Sequence, residues 1–173
     1  HPASHTFILW LLVHIYPSPA LVALVQILAL GLLAGYILGF FETQGAPKPI
    51  LWLASLVFAL SPVNGTMVNT LWKDILYSTA LLGFTFLAYR VGVTRGRWLE
   101  GRWNGVLLGV TGVLVSSFRH NGWPIVLATF LLMIVLYWKF WRGVAVAVVV
   151  FAAVFLFIRG PVYRFARVNT QGV

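Results

Sequence analysis

The chain has 173 residues, 61% hydrophobic and only 9% charged, with a mean hydropathy of +0.94; a soluble domain is about 45–50% apolar and about 25% charged, so this composition excludes one. Twelve Lys and Arg against three Asp and Glu leave a net charge of +9, but the basic residues are scattered between long apolar runs, as in membrane loops rather than on a nucleic-acid-binding face. The absence of cysteine excludes disulfides, thiol catalysis and cysteine-ligated zinc. A spanning helix takes about 20 residues plus loops, so the length accommodates about six spans.

The opening HPASHT carries no charged segment followed by a cleavage site and is not expected to act as a signal peptide. The first apolar run, Phe7 to Tyr16, closes at Pro17-Ser18-Pro19; it makes about 15 Å of helix, too short to cross, and reads as an interfacial or re-entrant helix. Residues 1–17 are therefore expected as a juxtamembrane helix and 18–173 as membrane spans of a single domain. The second run, Ala20 to Phe41, is long enough to span and carries Gly31, Gly35 and Gly39 at every fourth position, a small-residue stripe suited to close helix packing. After the break ETQGAPKP, the third run extends from Ile50 to Leu60 and ends at Ser61-Pro62, where proline interrupts the helix. SPVNGTMVNTLWKD reads as a polar, turn-rich connection; the glycosylation-like triplet Asn64-Gly65-Thr66 within it is taken as loop. The remaining runs are Ile75 to Val93, Val106 to Phe118, Trp123 to Trp138 and Val144 to Ile158. The expected fold is all-α, a polytopic bundle of about six spans plus the short first helix.

Parity places the loop bearing Arg95, Arg97 and Arg102 on the same side as the loop bearing Lys139 and Arg142, and the positive-inside rule makes that side cytoplasmic. Arg159, Arg164 and Arg167 fall on the opposite side, against the rule. Tryptophans 98, 103, 138 and 141 cluster at the cytoplasmic ends, as interfacial aromatics.

Two polar clusters interrupt the apolar pattern: Trp72-Lys73-Asp74 before the fourth span and Arg119-His120-Asn121-Gly122 after the fifth. Parity puts both on one face, opposite the basic loops. Each has a purely structural reading: Asp74 favours a helix N-terminus, Arg119-His120 suits an interfacial anchor, and Asn121-Gly122 suits a turn. Taken together on one face they suit anion binding, with lysine as a point charge and arginine as a fork for phosphate oxygens. Asp74 would then orient Lys73 or accept a proton, and His120 would contact a phosphate or shuttle a proton. His1 and His5, spaced i,i+4, would share a helix face and suit capping, hydrogen bonding or an optional divalent ion; His14, within an apolar run, reads as a satisfied interface histidine. There is no GxSxG, P-loop or HExxH motif to support a serine hydrolase, nucleotide or zinc-protease site.

HPASHTFILWLL, LWKDILYS and SFRHNGWP, in this order and spacing, resemble outer-face segments of GT-C-type bacterial polytopic membrane glycosyltransferases. The resemblance implies an integral enzyme of a bacterial inner or plasma membrane. Such an enzyme transfers a sugar from a polyprenyl-phosphate donor to a glycan, lipid or protein acceptor on the outer face. It assigns Lys73, Arg119 and His120 to the donor phosphate, Asp74 and Asn121 to orientation, and His1 and His5 to the acceptor or an optional divalent metal ion. The family's catalytic base is an aspartate of the first outer loop, expected upstream of His1 in a longer protein; the sequence given would then be inactive alone. No cofactor is otherwise implied, and no nucleic-acid partner. The competing class is a transporter or flippase in which the same clusters line a substrate path.

Overall fold

In the computed structural model the described residues are 3–68, 73–119 and 121–162, and among them the chain consists of helices joined by short turns, without a strand. Eight α-helices follow in order: α1 Ala3–Ile15, α2 Pro19–Thr43, α3 Lys48–Leu60, α4 Pro62–Val68, α5 Lys73–Val93, α6 Asn104–Phe118, α7 Gly122–Leu136 and α8 Trp141–Phe157. Short 3-10 turns at Arg97–Glu100 and Trp138–Phe140 precede α6 and α8, and a π turn, Ile158–Val162, follows α8.

Among the described residues, three segments are long and apolar enough to cross a membrane: Pro19–Thr43, Asp74–Val93 and Trp138–Gly160. The apolar helices α3, α6 and α7 have 13, 15 and 15 residues. That is about 20 to 22 Å of helix against a hydrocarbon core of about 30 Å. The exterior is apolar as well as the interior: Leu32, Trp52, Leu131 and Leu156 are each 65 to 75% exposed. Apolar exposure on this scale suits lipid contact.

Local chemistry explains the boundaries. Ser18 caps α2, its Oγ accepting from Ala20 N at 3.2 Å, and Pro19 occupies the first turn, where its missing N–H costs nothing. Gly45, at φ 86°, ends α2: Ala46 N donates to Phe41 O and Gly45 N to Glu42 O, each at 3.0 Å. Pro47 and Pro49 then flank the start of α3. The connection after Leu60, expected to be turn-rich, is helical from Pro62 to Val68. Proline breaks α3 and also starts α4. It cannot donate to Phe58 O, and Asn64 Nδ2 does so instead at 2.9 Å. The Asn64-Gly65-Thr66 triplet is thus part of a helix.

The chain divides into two compact units, Ile8–Thr79 and Ala80–Val173, the latter taking in the opening residues as well. In the first, α2, α3 and α4 pack on one another, and Glu42 pairs with Lys48 at 3.5 Å on the exposed α2–α3 turn. The stripe Gly31, Gly35 and Gly39 was expected to pack closely, yet a Cβ at any of these positions would meet nothing within 4 Å. In the second unit the dominant packing joins α6 to α8. A Cβ at Gly105 would stand 2.6 Å from Gly143 O, one at Gly109 2.6 Å from Ala147 O, and one at Gly112 3.4 Å from Phe151 Cδ2. The numbers rise together, so α6 and α8 run parallel. Gly122 meets Val115 and Gly112 meets Val126, so α7 returns antiparallel to α6. Phe84, Phe130 and Phe151 pack edge to face in the core, with centroids 6.0 and 5.8 Å apart.

Candidate functional site

Lys73 is the first residue of α5, and Asp74 lies in its first turn, where the unsatisfied N–H groups favour a carboxylate. Asp74 is half-buried, with Oδ1 out of solvent. The Lys73 side chain lies outside the described part of the structure.

Arg119 is exposed and sits in extended backbone (φ −144°, ψ 134°) after α6, and its carbonyl accepts from Gly122 N at 2.9 Å. The turn is tight because Gly122 lies against the Val115 carbonyl and Ser116 Cα, leaving no room for a side chain. Asn121, also exposed, stands at the N-cap of α7 without making a side-chain capping bond. The glycine of SFRHNGWP thus has a structural reason, whereas Arg119 and Asn121 project from the turn. His120 and His1 lie outside the described residues; His5 lies in α1, with its side chain outside the description. His14, as expected, is satisfied: Nδ1 is 2.9 Å from Trp10 O and its ring packs on Trp10. Among the described residues, no three His, Asp or Glu side chains converge as metal ligands.

Lys73 and Asp74 belong to the unit Ile8–Thr79, and Arg119 and Asn121 to the unit Ala80–Val173. Within the latter, Arg119 is at the end of α6 remote from Asn104, about 22 Å along the axis. Because α8 is parallel to α6, Arg159 stands at that same end, its guanidinium 4.8 Å from the Phe155 ring centroid.

At the other end of this unit the two basic loops, placed on one side by parity, do meet. Gly96 backs onto Phe140 and Tyr137, and Gly143 onto Leu99. They enclose an open cavity of about 600 Å³ whose lining includes Glu100, Arg102, Lys139, Trp141 and Arg142. Read from sequence, these cations only oriented the chain; their convergence depends on α6 and α8 being parallel, which no local pattern announces. The tryptophans also divide. Trp103, Trp138 and Trp141 are exposed, but Trp98 is buried, with the Arg90 guanidinium 5.3 Å from its ring centroid. A further cavity of about 380 Å³ between α2 and α3 is lined by Gly35, Gly39, Glu42, Lys48 and Trp52.

Set beside known protein families, curated proteins and solved structures, the chain matches none.

Proposed function

We propose that the chain is the membrane-embedded part of a GT-C-type glycosyltransferase of a bacterial inner or plasma membrane. It crosses the bilayer about six times and takes a sugar from a polyprenyl-phosphate donor on the outer face. The acceptor is a glycan, lipid or protein hydroxyl. The observation that carries this reading is that the polar groups lie at helix ends. Lys73 and Asp74 open α5, and Arg119 and Asn121 occupy the break between α6 and α7. A donor whose lipid tail lies among helices presents its phosphate at that depth.

In the transfer, an acceptor oxygen attacks the anomeric carbon while the bond from that carbon to the phosphate oxygen breaks. Polyprenyl phosphate leaves with the electron pair. Lys73, Arg119 and His120 stabilise the growing negative charge, with Asp74 and Asn121 holding the cations in place. An acidic residue upstream of His1, as in the family, takes the acceptor proton. His1 and His5 stand beside the acceptor or a divalent ion.

The transporter reading draws on the interrupted helix α3–α4. That interruption carries no charge, and its Asn64 amide is engaged by Phe58 O, so the enzyme reading is the stronger.

In the full-length protein, Lys73→Ala and Arg119→Ala should each lower transfer from a polyprenyl-phosphate sugar about 100-fold, as loss of one charge-stabilising donor does, at unchanged expression and gel-filtration profile. Wild-type transfer by both variants would remove the phosphate role.

A further inference from the structure

The cavity between the 95–103 and 137–143 segments has no part in the proposed transfer, since it lies at the opposite end of α6 from Arg119. It is lined by Arg102, Lys139 and Arg142 against the one carboxylate of Glu100. None of these four makes an ion pair with another described residue. Three cations thus share a cavity with a single carboxylate, which leaves a surplus of positive charge.

The walls are built rather than loose. Thr94 Oγ1 donates to Arg90 O at 2.8 Å and accepts from Trp98 N at 3.1 Å; Asn104 Nδ2 donates to Trp98 O at 2.6 Å. Leu99 is buried beneath Gly143. Around the cavity Trp103, Trp138 and Trp141 are at least half exposed, the placement of aromatics at a headgroup boundary. Both helices that begin here, α6 and α8, lead directly into apolar, lipid-compatible surface.

We propose that this cavity binds the headgroup of an anionic phospholipid of the cytoplasmic leaflet. The phosphate lies among Arg102, Lys139 and Arg142, and the acyl chains descend along the apolar face of α8. Arginine supplies the forked contact and lysine a point charge. Glu100 accepts from a headgroup hydroxyl, which favours a glycerol headgroup. The surplus of positive groups distinguishes an anionic lipid from a zwitterionic one, whose own ammonium would add to it. The proposal rests on the membrane reading of the chain and is independent of the glycosyltransferase reading.

The test is native mass spectrometry of the full-length protein released from nanodiscs containing equal parts phosphatidylglycerol, phosphatidylcholine and phosphatidylethanolamine. Wild type should retain phosphatidylglycerol in preference to the other two. Lys139→Gln with Arg142→Gln should reduce that preference about tenfold or more, from the loss of two basic contacts near the surface. Arg95→Gln with Arg97→Gln removes the same charge outside the cavity and should leave the preference intact. Equal loss in both double variants, no headgroup preference in wild type, or a preference for phosphatidylethanolamine would each overturn the proposal. Failure of the chain to enter nanodiscs would instead overturn the membrane reading. Inorganic phosphate added at millimolar concentration should not displace the lipid; displacement would show a site for the free anion and overturn the lipid assignment.

Discussion

Gly105 and Gly109 face carbonyl oxygens of α8 at a separation that leaves no space for a methyl group, whereas Gly31, Gly35 and Gly39 of α2 face nothing within 4 Å. The two sets look alike in sequence, each with glycines four residues apart. Only how closely another helix approaches separates them, and that is a long-range property. Substitution distinguishes them by sign. Gly109→Ala forces α6 and α8 apart and should cost about 1–3 kcal/mol or more. Gly35→Ala removes a flexible residue from a helix interior and should stabilise by up to about 1 kcal/mol. Thermal unfolding in detergent measures both; equal shifts would show that the α6–α8 seam does not form as described. The site residues were visible as polar breaks in apolar runs, and the turn expected at Asn121-Gly122 forms; what the sequence did not show is that Gly122 packs against the Val115 carbonyl.

At the scale of elements, the 94–104 segment is a turn fixed by several hydrogen bonds. Arg95 and Gly96 both take positive φ, 50° and 86°, and Gly96 N closes the turn onto Val91 O at 2.8 Å. Gly96 also lies against the Phe140 ring. Gly96→Ala therefore meets both a left-handed backbone and a collision, and should lose about 1–3 kcal/mol, read as a lower unfolding midpoint with loss of the packing between the two basic loops. The α3–α4 junction gives a second case. Asn64→Ala leaves Phe58 O without its amide donor and should cost about 1–3 kcal/mol, while Thr66→Ala, which removes the sequon but not that bond, should be much milder. Most helix ends were legible because Ser, Pro and Gly act locally: Ser18-Pro19 starts α2 and Gly45 ends it. The α4 helix was not, because proline at Ser61-Pro62 is both a breaker and a favoured first residue, and the bond that decides between these roles spans six residues.

For the whole molecule, the all-helical class follows from composition and run length, whereas the number of crossings does not. Among the described residues three segments have spanning length, and α3, α6 and α7 are shorter than an untilted crossing requires. The loops supply a direct test, since the chain has no native cysteine. Single cysteines at Arg97 and Lys139 should react with an impermeant maleimide from one side of sealed vesicles, and a cysteine at Asn121 from the other. Labelling of all three from one side would exclude α6 as a crossing. The parallel pairing of α6 with α8 bears finally on synthesis. α7 can fold back on α6 as soon as it emerges, but the glycine-lined face of α6 stays uncovered until α8 has been made. During that interval the nascent chain carries an open groove, and the most extensive helix pairing of this unit waits for α8.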